Sequence, residues 1–331
     1  MAARLSLDEA EAGILAGERG VLARSITLVE SRRESDQRLA EALVARLLPR
    51  TGAARRVGLS GPPGVGKSSF IDALGSALIA DGKRVAVLAV DPSSARSGGS
   101  ILGDKTRMPR LAVDARAFVR PSPAGEHLGG VARRTREAMV LCEAAGFEVL
   151  LVETVGVGQS ETEVSSMVDC FVLLALAGAG DELQGIKRGI MEMVDIVAVN
   201  KADGDNTKRA QLAARELASA LHYLRRRFEA WEPRAQTTSA LTGEGVRELW
   251  ASVEAHRAAL EASGELAELR RSQSRRWLWA LVEDGLVAGF RGRPEVAARL
   301  AELEPKVLAG ELPATTAARE LIELYAGRCS G

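Results

Sequence analysis

The sequence predicts an α/β fold in which a mostly parallel β-sheet is flanked by helices, with further helical regions before and after it. Several apolar runs, such as residues 85–90 and 170–177, are continuous rather than alternating, which is typical of parallel strands covered on both faces. Helical patterns separate these runs, and a glycine-rich loop at 61–66 joins a strand to a helix. This alternation of strands and helices indicates a parallel sheet.

Length and composition indicate a soluble globular protein larger than one average domain. The chain has 331 residues, of which 46% are hydrophobic and 27% charged, and its formal net charge is zero. We expect a core of about 200 residues with helical additions, and we divide the chain into an N-terminal helical extension (1–52), a sheet domain (53–262) and a C-terminal helical region (263–331). Zero net charge gives no general electrostatic basis for binding nucleic acid or an anionic membrane.

Residue usage also predicts the compartment. No apolar stretch approaches the roughly 20 residues of a membrane span, and the N-terminus lacks the apolar centre of a signal peptide, so we expect a cytoplasmic protein. The few cysteines and histidines are widely spaced, which predicts reduced thiols and neither a disulfide framework nor a transition-metal site. These residues are Cys142, Cys170, Cys329, His127, His222 and His256.

The N-terminal region is predicted to form three helices. Gly17 and Gly20 separate the first helix from the second, and the third runs from about residue 35 to residue 48. Leu39, Leu43 and Leu47 follow a helical spacing and form an apolar stripe. This stripe must cover either the sheet domain or a partner protein.

The most specific motif follows the first predicted strand, at 57–60. Residues 61–68 match the phosphate-binding pattern G-x-x-x-x-G-K-[ST] at every fixed position, and a helix follows as the pattern requires. We expect Lys67 to contact the outer phosphates of a nucleotide and the Ser68 hydroxyl to bind the Mg²⁺ that bridges them. The predicted nucleotide-binding residues of this segment are Gly61, Pro62, Pro63, Gly64, Val65, Gly66, Lys67, Ser68 and Ser69.

A second candidate site follows the strand at 85–90. Asp91 stands at the carboxyl end of that strand, where open α/β sheets bind their ligands. The polar, glycine-rich segment 92–108 is too long for a simple connection, so it is either a flexible linker or, as we favour, a switch loop. In a switch loop, Asp104 would approach the Mg²⁺ directly or through water, and Arg107 would contact phosphate or a partner.

The strand predicted at 147–152 leads to an E-x-x-G segment, a variant of the D-x-x-G segment that senses the γ-phosphate in GTPases. We expect Glu153 to hold the Mg²⁺ shell and the Gly156 amide to bond the γ-phosphate. Ras-type enzymes place a water-positioning glutamine directly after this glycine, whereas here Val157 occupies that position and Gln159 comes two residues later. We therefore expect slow hydrolysis in the isolated protein, with a partner or a second subunit supplying the missing group.

A loop that carries both charge signs, 178–188, follows the strand at 170–177. It is either a solvated loop with a helix cap or a third nucleotide-responsive loop.

The base-recognition motif N-K-x-D follows the next predicted strand, at 196–199. The Asp203 carboxylate can accept two hydrogen bonds from guanine, and Lys201 packs along the base after Asn200. Adenine would leave this carboxylate without its donors, which is costly in a buried site. Ser239, Ala240 and Leu241 resemble the S-A-L element whose backbone contacts the guanine O6, so the four motifs together predict a GTPase.

The C-terminal part is predicted to form helices at 244–262, 274–290, 295–308 and 314–325. Trp277 and Trp279 lie about 200° apart on a helix, so they cannot both point inward. Either one of them meets another subunit or both are partly buried between helices of one chain.

With these motifs in place, the chain closely resembles the ArgK/MeaB family over nearly its whole length. This family comprises the G-protein chaperones of adenosylcobalamin-dependent acyl-CoA mutases. The most distinctive segments are 89–108 (AVDPSSARSGGSILGDKTRM), 151–162 (LVETVGVGQSET) and 178–187 (GAGDELQGIK). We see no departure from the family at the nucleotide motifs.

The resemblance implies a P-loop GTPase that forms a homodimer through its C-terminal helical region and acts on a mutase. It implies a phosphate and Mg²⁺ site made of Lys67, Ser68, Asp91, Asp104 and Glu153, and a third switch at 178–188 in which Lys187 responds to the mutase. It places adenosylcobalamin on the partner rather than on this chain. Nucleotide-dependent switching would then gate cofactor loading and the protection or reactivation of the mutase.

Two other functions stay open from the sequence. A metal-insertion GTPase for a nickel enzyme would share the nucleotide motifs, but such proteins usually carry histidine-rich or cysteine clusters. A P-loop kinase would share the phosphate-binding loop, but the N-K-x-D motif at 200–203 argues against it.

Overall fold

A seven-stranded parallel sheet forms the centre of the computed structural model, which describes residues 5–31, 33–90, 107–121, 128–154, 160–178 and 188–327. The strand order is β3-β2-β4-β1-β5-β6-β7, and every neighbouring pair is parallel. This sheet, with helices packed on it, confirms the predicted α/β fold. The strands are β1 (Arg55–Ser60), β2 (Val85–Val90), β3 (Ala117–Arg120), β4 (Val149–Thr154), β5 (Cys170–Leu176), β6 (Ile196–Asn200) and β7 (Arg234–Thr237).

Thirteen α-helices and two short 3₁₀ helices, Leu48–Arg50 and Gly204–Asn206, lie within the described residues. The α-helices are α1 (Leu7–Leu15), α2 (Arg19–Val29), α3 (Glu34–Leu47), α4 (Lys67–Ala80), α5 (Pro109–Val113), α6 (Leu128–Ala144), α7 (Ser160–Ser165), α8 (Arg188–Met191), α9 (Thr207–His222), α10 (Val246–Ser263), α11 (Glu265–Arg291), α12 (Pro294–Leu308) and α13 (Ala314–Tyr325).

The central strands are apolar along their whole length because both faces of the sheet are covered. Every residue of β2 and of β4 is buried. One core cluster contains Leu150 and Val152 of β4 together with residues of α2, α3, α6 and α9, and the other contains Val149 and Leu151 together with residues of α4 and α10. Successive side chains of β4 therefore point to opposite layers, as the pleat of a strand requires.

The strand order places a switch point beside β1. This strand pairs with β4 on one side and with β5 on the other. In open α/β sheets, ligands bind outside the carboxyl ends of the strands at such a point. The segments that follow β1, β4 and β6 carry the sequence motifs, so the topology brings those motifs to one edge.

The N-terminal helices pack on the sheet domain. Leu43 and Leu47 of α3 are fully buried, in the same cluster as Ile14, Leu22 and Met139 of α1, α2 and α6. The sequence left open whether this apolar stripe covers the sheet domain or a partner protein. Leu43 and Leu47 cover the sheet domain. The N-terminal helices belong to the same compact unit as the sheet, residues 1–270, and residues 271–331 form a second unit.

The second unit has a small core of its own. Val296, Leu303, Ala317 and Leu321 of α12 and α13 are buried together. The Phe290 and Tyr325 rings meet edge to face with centroids 5.4 Å apart.

The boundaries of several elements differ from the sequence expectation. Gly17, with φ of +74°, lies between α1 and α2, whereas Gly20 lies inside α2. β4 continues through Glu153 because its pairing with β2 extends to the register Val90 with Thr154. Helix α11 begins at Glu265 rather than 274, directly after Gly264 ends α10 in the left-handed region.

None of the helices in the described ranges combines the length and apolar character needed to span a bilayer.

Candidate functional site

The phosphate-binding loop joins β1 to α4, as the motif predicts. Two of its glycines are required by close packing: a Cβ atom at Gly61 would lie 2.5 Å from the Leu174 carbonyl oxygen, and one at Gly66 would lie 2.9 Å from the Asn200 amide nitrogen. Gly66 also precedes α4 with φ of +93°, in the left-handed region that favours glycine. Helix α4 therefore begins at Lys67. The backbone N–H groups of its first turn are available to bind an anion.

Lys67 lies across the loop that precedes it. Its ammonium group donates hydrogen bonds to the carbonyl oxygens of Gly61 (2.6 Å) and Pro62 (3.3 Å). Burial lowers the pKa of Lys67, and the Glu153 and Glu161 carboxylates partly oppose this shift. The amine is therefore a partly desolvated charge that an incoming phosphate would stabilise.

Ser68 and Glu153 are brought together from two different elements. The Ser68 hydroxyl donates to Glu153 Oε1 at 3.2 Å, and Glu153 is only 5% exposed at the end of β4. The next residue, Thr154, donates to the Ser60 hydroxyl oxygen at 2.9 Å and so fixes the end of β4 to the end of β1. A hydroxyl and a carboxylate oxygen at one position form a donor set that suits Mg²⁺.

Asn200 connects the phosphate loop to the base-recognition segment. Its side-chain amide donates to the Val65 carbonyl oxygen at 2.8 Å, and its carbonyl oxygen accepts from the Ala240 N–H at 3.2 Å. The side chain is almost completely buried. Asn200 therefore holds residues from three motifs in one arrangement.

Lys201 and Asp203 lie beside segment 239–241, and we call these residues together the base corner. Lys201 has φ of +59°, among described residues the only positive value outside glycine, and its ammonium donates to the Gly64 carbonyl oxygen at 2.8 Å. The Ser239 hydroxyl donates to the Asp203 carboxylate. The same Ser239 oxygen accepts from the Thr242 N–H at 3.1 Å. These bonds orient the Asp203 carboxylate beside the 239–241 segment.

The remaining predicted site residues fall into two groups. Pro63, Ser69 and Leu241 are described and exposed. The other predicted residues, Asp91, Asp104, Gly156 and Lys187, lie outside the described residues. Most of the segments 92–108 and 178–188 also lies outside them.

Asp72 is a residue that the sequence analysis did not single out. It lies on α4, is 5% exposed, and accepts hydrogen bonds at the start of α5 from the Arg110 N–H (3.1 Å), the Leu111 N–H (3.0 Å) and the Arg110 Nε (2.8 Å). Because α5 follows segment 92–108, Asp72 ties the end of that segment to the phosphate-loop helix. A single acidic residue within the apolar stretch 70–79 was the available signal.

The sequence is similar to known proteins over nearly the whole chain. Residues 22–295 match the sequence profile of the family described as "Methylmalonyl Co-A mutase-associated GTPase MeaB". A putative GTPase of Caulobacter vibrioides is 53% identical over 321 residues, which cover 97% of this chain and 98% of that protein. The mitochondrial methylmalonic aciduria type A homolog of Mus musculus is 47% identical over 332 residues, covering 97% of this chain and 80% of the mouse protein.

A solved structure shows the same fold. The crystal structure of a LAO/AO transport system kinase superimposes with a TM-score of 0.77 at 40% sequence identity, and the match covers 97% of this chain and 99% of that one.

Proposed function

The chain belongs to the family of methylmalonyl Co-A mutase-associated GTPases, MeaB, and we propose that it hydrolyses GTP to GDP and phosphate as the chaperone of an adenosylcobalamin-dependent acyl-CoA mutase. The bridge formed by Asn200 carries the nucleotide part of this proposal. One buried side chain bonds both Val65 of the phosphate loop and Ala240 of segment 239–241, so the phosphate and base motifs lie side by side, where a single nucleotide can contact both. A guanine nucleoside triphosphate has the matching chemistry at both ends.

The residues near the phosphate loop would bind the phosphates and the Mg²⁺. Lys67 would exchange its bonds to the Gly61 and Pro62 carbonyl oxygens for bonds to phosphate oxygens, where its charge stabilises the developing negative charge of the reaction. Ser68 and Glu153 would hold Mg²⁺, which supplies charge neutralisation on the phosphates when bound. We assign Asp91 and Asp104 to the same metal and phosphate region, and the Gly156 amide to the γ-phosphate.

Selection of guanine is assigned to Asp203. Its carboxylate is held by the Ser239 hydroxyl and faces the corner bounded by residues 239–241. Guanine offers N1–H and an exocyclic amine to a carboxylate, whereas adenine does not offer this pair, so binding adenine would leave the carboxylate without its donors.

The coupling to a mutase is assigned to the segments that follow the strands. We propose that segments 92–108, 153–166 and 178–188 change arrangement with the γ-phosphate, and that Lys187 responds to the mutase. The hydrogen bonds that Asp72 accepts from the start of α5 would transmit a change between the phosphate-loop helix and the end of the first segment. Adenosylcobalamin would be bound by the mutase, and the GTPase would gate its loading.

We also propose a homodimer formed through the second unit. Helix α11 exposes apolar side chains at helical spacing, namely Leu278 (60%), Trp279 (61%), Val282 (39%) and Leu286 (57%). A contiguous apolar stripe of this kind is typical of a helix that packs against a partner. A second copy of the same chain is the occupant we propose, since a C2 contact needs only one such surface. Light scattering of wild type and Trp279→Glu should give a dimer and a monomer, respectively.

GTP turnover with and without a purified methylmalonyl-CoA mutase tests the chaperone role. We expect the mutase to accelerate release of inorganic phosphate, and we expect GTP, but not GDP, to change the recovery of inactivated mutase. The variant Asp203→Asn serves as an internal control, because stimulation that transfers to xanthosine triphosphate must belong to this protein. Unchanged turnover and unchanged recovery would remove the chaperone role and leave the GTPase.

The same assay separates hydrolysis from transfer. All γ-phosphate should appear as inorganic phosphate. Recovery of labelled phosphate on an amino acid or a protein acceptor would favour a P-loop kinase instead.

A further inference from the structure

Three buried side chains with metal-binding atoms meet at the edge of the sheet opposite to the nucleotide site. Cys170 begins β5, Asp195 directly precedes β6, and His256 lies on α10. Their ligand atoms all lie within 4.8 Å of one another, and the residues are between 0% and 2% exposed. Because each strand residue advances the chain by roughly 3.3 Å, the length of β5 separates this cluster from the phosphate-binding edge by about 20 Å.

Asp195 presents one satisfied and one unsatisfied oxygen. Its Oδ2 accepts from the Phe171 N–H at 2.8 Å and from Arg227 Nη1 at 3.0 Å. Its Oδ1 has no hydrogen-bond partner among the residues that the structure describes, and it lies 3.7 Å from His256 Nε2. A buried carboxylate oxygen without a partner is costly, so this atom is expected to bind something.

His256 has the same property at both ring nitrogens. Neither Nδ1 nor Nε2 finds a hydrogen-bond partner within the described part of the chain, although the ring is fully buried. Phe228 and Trp231 hold the ring edge to face, with centroid distances of 5.6 Å and 5.1 Å. A buried imidazole whose nitrogens lack hydrogen-bond partners calls for an explanation, and a neutral imidazole nitrogen is a common metal ligand.

We propose that Cys170, Asp195 and His256 bind one zinc ion, which links α10 to the ends of β5 and β6. Sulfur, nitrogen and carboxylate oxygen form a donor set that suits zinc, whereas Mg²⁺ and Ca²⁺ prefer oxygen ligands alone. The spacing also fits. Nitrogen and oxygen ligands about 2.0–2.1 Å from a tetrahedral ion lie about 3.4 Å apart, close to the 3.7 Å between His256 Nε2 and Asp195 Oδ1.

The surroundings of Asp195 match those of a metal ligand. The Phe171 N–H and the Arg227 guanidinium occupy Oδ2 and leave Oδ1 for the ion, and Trp231 Nε1 donates to the Asp195 backbone carbonyl oxygen at 3.0 Å. Ligating carboxylates are usually fixed by such outer hydrogen bonds. On ligation, the Cys170 thiol would lose its proton to the solvent and bind the ion as a thiolate. A water would complete the tetrahedron, since no fourth Cys, His, Asp or Glu side chain of the described residues joins the group.

The sequence predicted no transition-metal site, because its cysteines and histidines are widely spaced along the chain. The three ligands come from separate segments, so only the packing of α10 against β5 and β6 brings them together. The proposed ion lies at the opposite edge of the sheet from the phosphate-binding loop and takes no part in the nucleotide chemistry.

The test uses the full chain without an affinity tag, in buffer with GDP and excess Mg²⁺ so that the phosphate site is saturated. After dialysis against a chelator, the protein is titrated with Co²⁺ and then with Zn²⁺. We expect one ion per chain, a thiolate-to-cobalt charge-transfer absorption, and its loss on adding one equivalent of zinc. Cys170→Ser and His256→Gln should bind the ion at least tenfold more weakly.

Two matched variants serve as controls. Cys142→Ser changes another buried thiol, and His222→Gln changes an exposed histidine that pairs with Glu232. Both should keep wild-type affinity for the metal. GDP binding at the opposite edge reports whether each variant is folded.

The proposal would be overturned by wild-type protein that shows no cobalt-thiolate absorption, or by Cys170→Ser and His256→Gln variants that bind cobalt as wild type does. Should the ligand variants fail to bind GDP, the wild-type protein decides alone: zinc must raise its melting temperature in GDP and Mg²⁺, as a ligand of the native state does. An unchanged melting temperature at saturating zinc would reject the site.

Discussion

The side-chain amide of Asn200 donates a 2.8 Å hydrogen bond to the Val65 carbonyl oxygen, and this bond joins the base corner to the phosphate loop. The same side chain accepts from the Ala240 N–H. Lys201 makes a second bond between the same two segments, from its ammonium group to the Gly64 carbonyl oxygen at 2.8 Å. Of these two side chains, Asn200 is the buried one, so its hydrogen bonds are shielded from water.

Replacement of Asn200 by alanine should weaken nucleotide binding at both ends of the ligand. The change leaves the buried Val65 carbonyl oxygen without this partner, at a cost of about 1–3 kcal/mol, and also removes the partner of the part-buried Ala240 N–H. Calorimetric titration should show affinity for GDP reduced roughly 10- to 100-fold. Gln211→Ala, which removes an exposed amide on α9, should bind GDP as wild type does. Equal affinities for the two variants would contradict the bridge.

Replacement of Asp203 by asparagine should change base preference from guanine to xanthine. The amide can donate to the xanthine 2-oxygen but no longer accepts two hydrogen bonds from guanine. Competition binding should show GTP affinity reduced roughly 10-fold or more, with xanthosine triphosphate bound preferentially. Asp205→Asn, an exposed change two residues later, should keep guanine preference. Retained GTP selectivity in Asp203→Asn would refute the base assignment.

Replacement of Glu153 by glutamine should weaken the dependence of binding on magnesium. The variant keeps the size of the side chain and removes the negative charge that faces Ser68. Binding of GDP should then gain less from added Mg²⁺, because charged oxygens are the preferred ligands of this ion. Titration of GDP with and without Mg²⁺ measures the difference. Glu248→Gln on the exposed face of α10 is the control and should respond to Mg²⁺ as wild type does.

Nucleotide binding should be accompanied by proton uptake at alkaline pH. Burial lowers the pKa of Lys67 in the free protein, and phosphate oxygens beside the amine should raise it again in the complex. Between the lowered value and the value in the complex, the free amine is neutral and the bound one is charged. Affinity must therefore fall as pH rises through this window.

Calorimetry in buffers of different ionisation enthalpy measures this uptake directly. The variant Lys67→Met should bind GDP more weakly and take up fewer protons. A pH-independent affinity in the alkaline range for wild type would show that another group carries the charge.

Replacement of Asp72 by alanine should destabilise the first unit. The change removes the acceptor of three hydrogen bonds at the start of α5, two of them from backbone N–H groups. Loss of such partners costs about 1–3 kcal/mol, which urea unfolding can measure. Asp81→Asn breaks an exposed ion pair with Arg247 and should leave the free energy of unfolding nearly unchanged, because water screens such a pair. A stability loss no greater than that of the control would exclude the anchoring role.

By itself, the sequence determined the fold class and the identity of the described motif residues. The phosphate loop, the end of β4 and the base corner each consist of a few consecutive residues directly after a buried strand, and the carboxyl ends of parallel strands meet at one edge. Local order along the chain therefore predicted that Lys67, Ser68, Glu153, Asn200 and Asp203 would converge.

Only the tertiary structure decided the contacts that depend on how distant segments pack. Asp72 bonds Arg110, which lies 38 residues away in the sequence. At the other edge of the sheet, Arg270 bonds Asp169, which lies 101 residues away. Neither contact has a fixed spacing, because strand register and helix docking place the side chains. The meeting of Cys170 with His256 has the same cause: packing of α10 on the sheet, rather than any pattern along the chain, sets that distance.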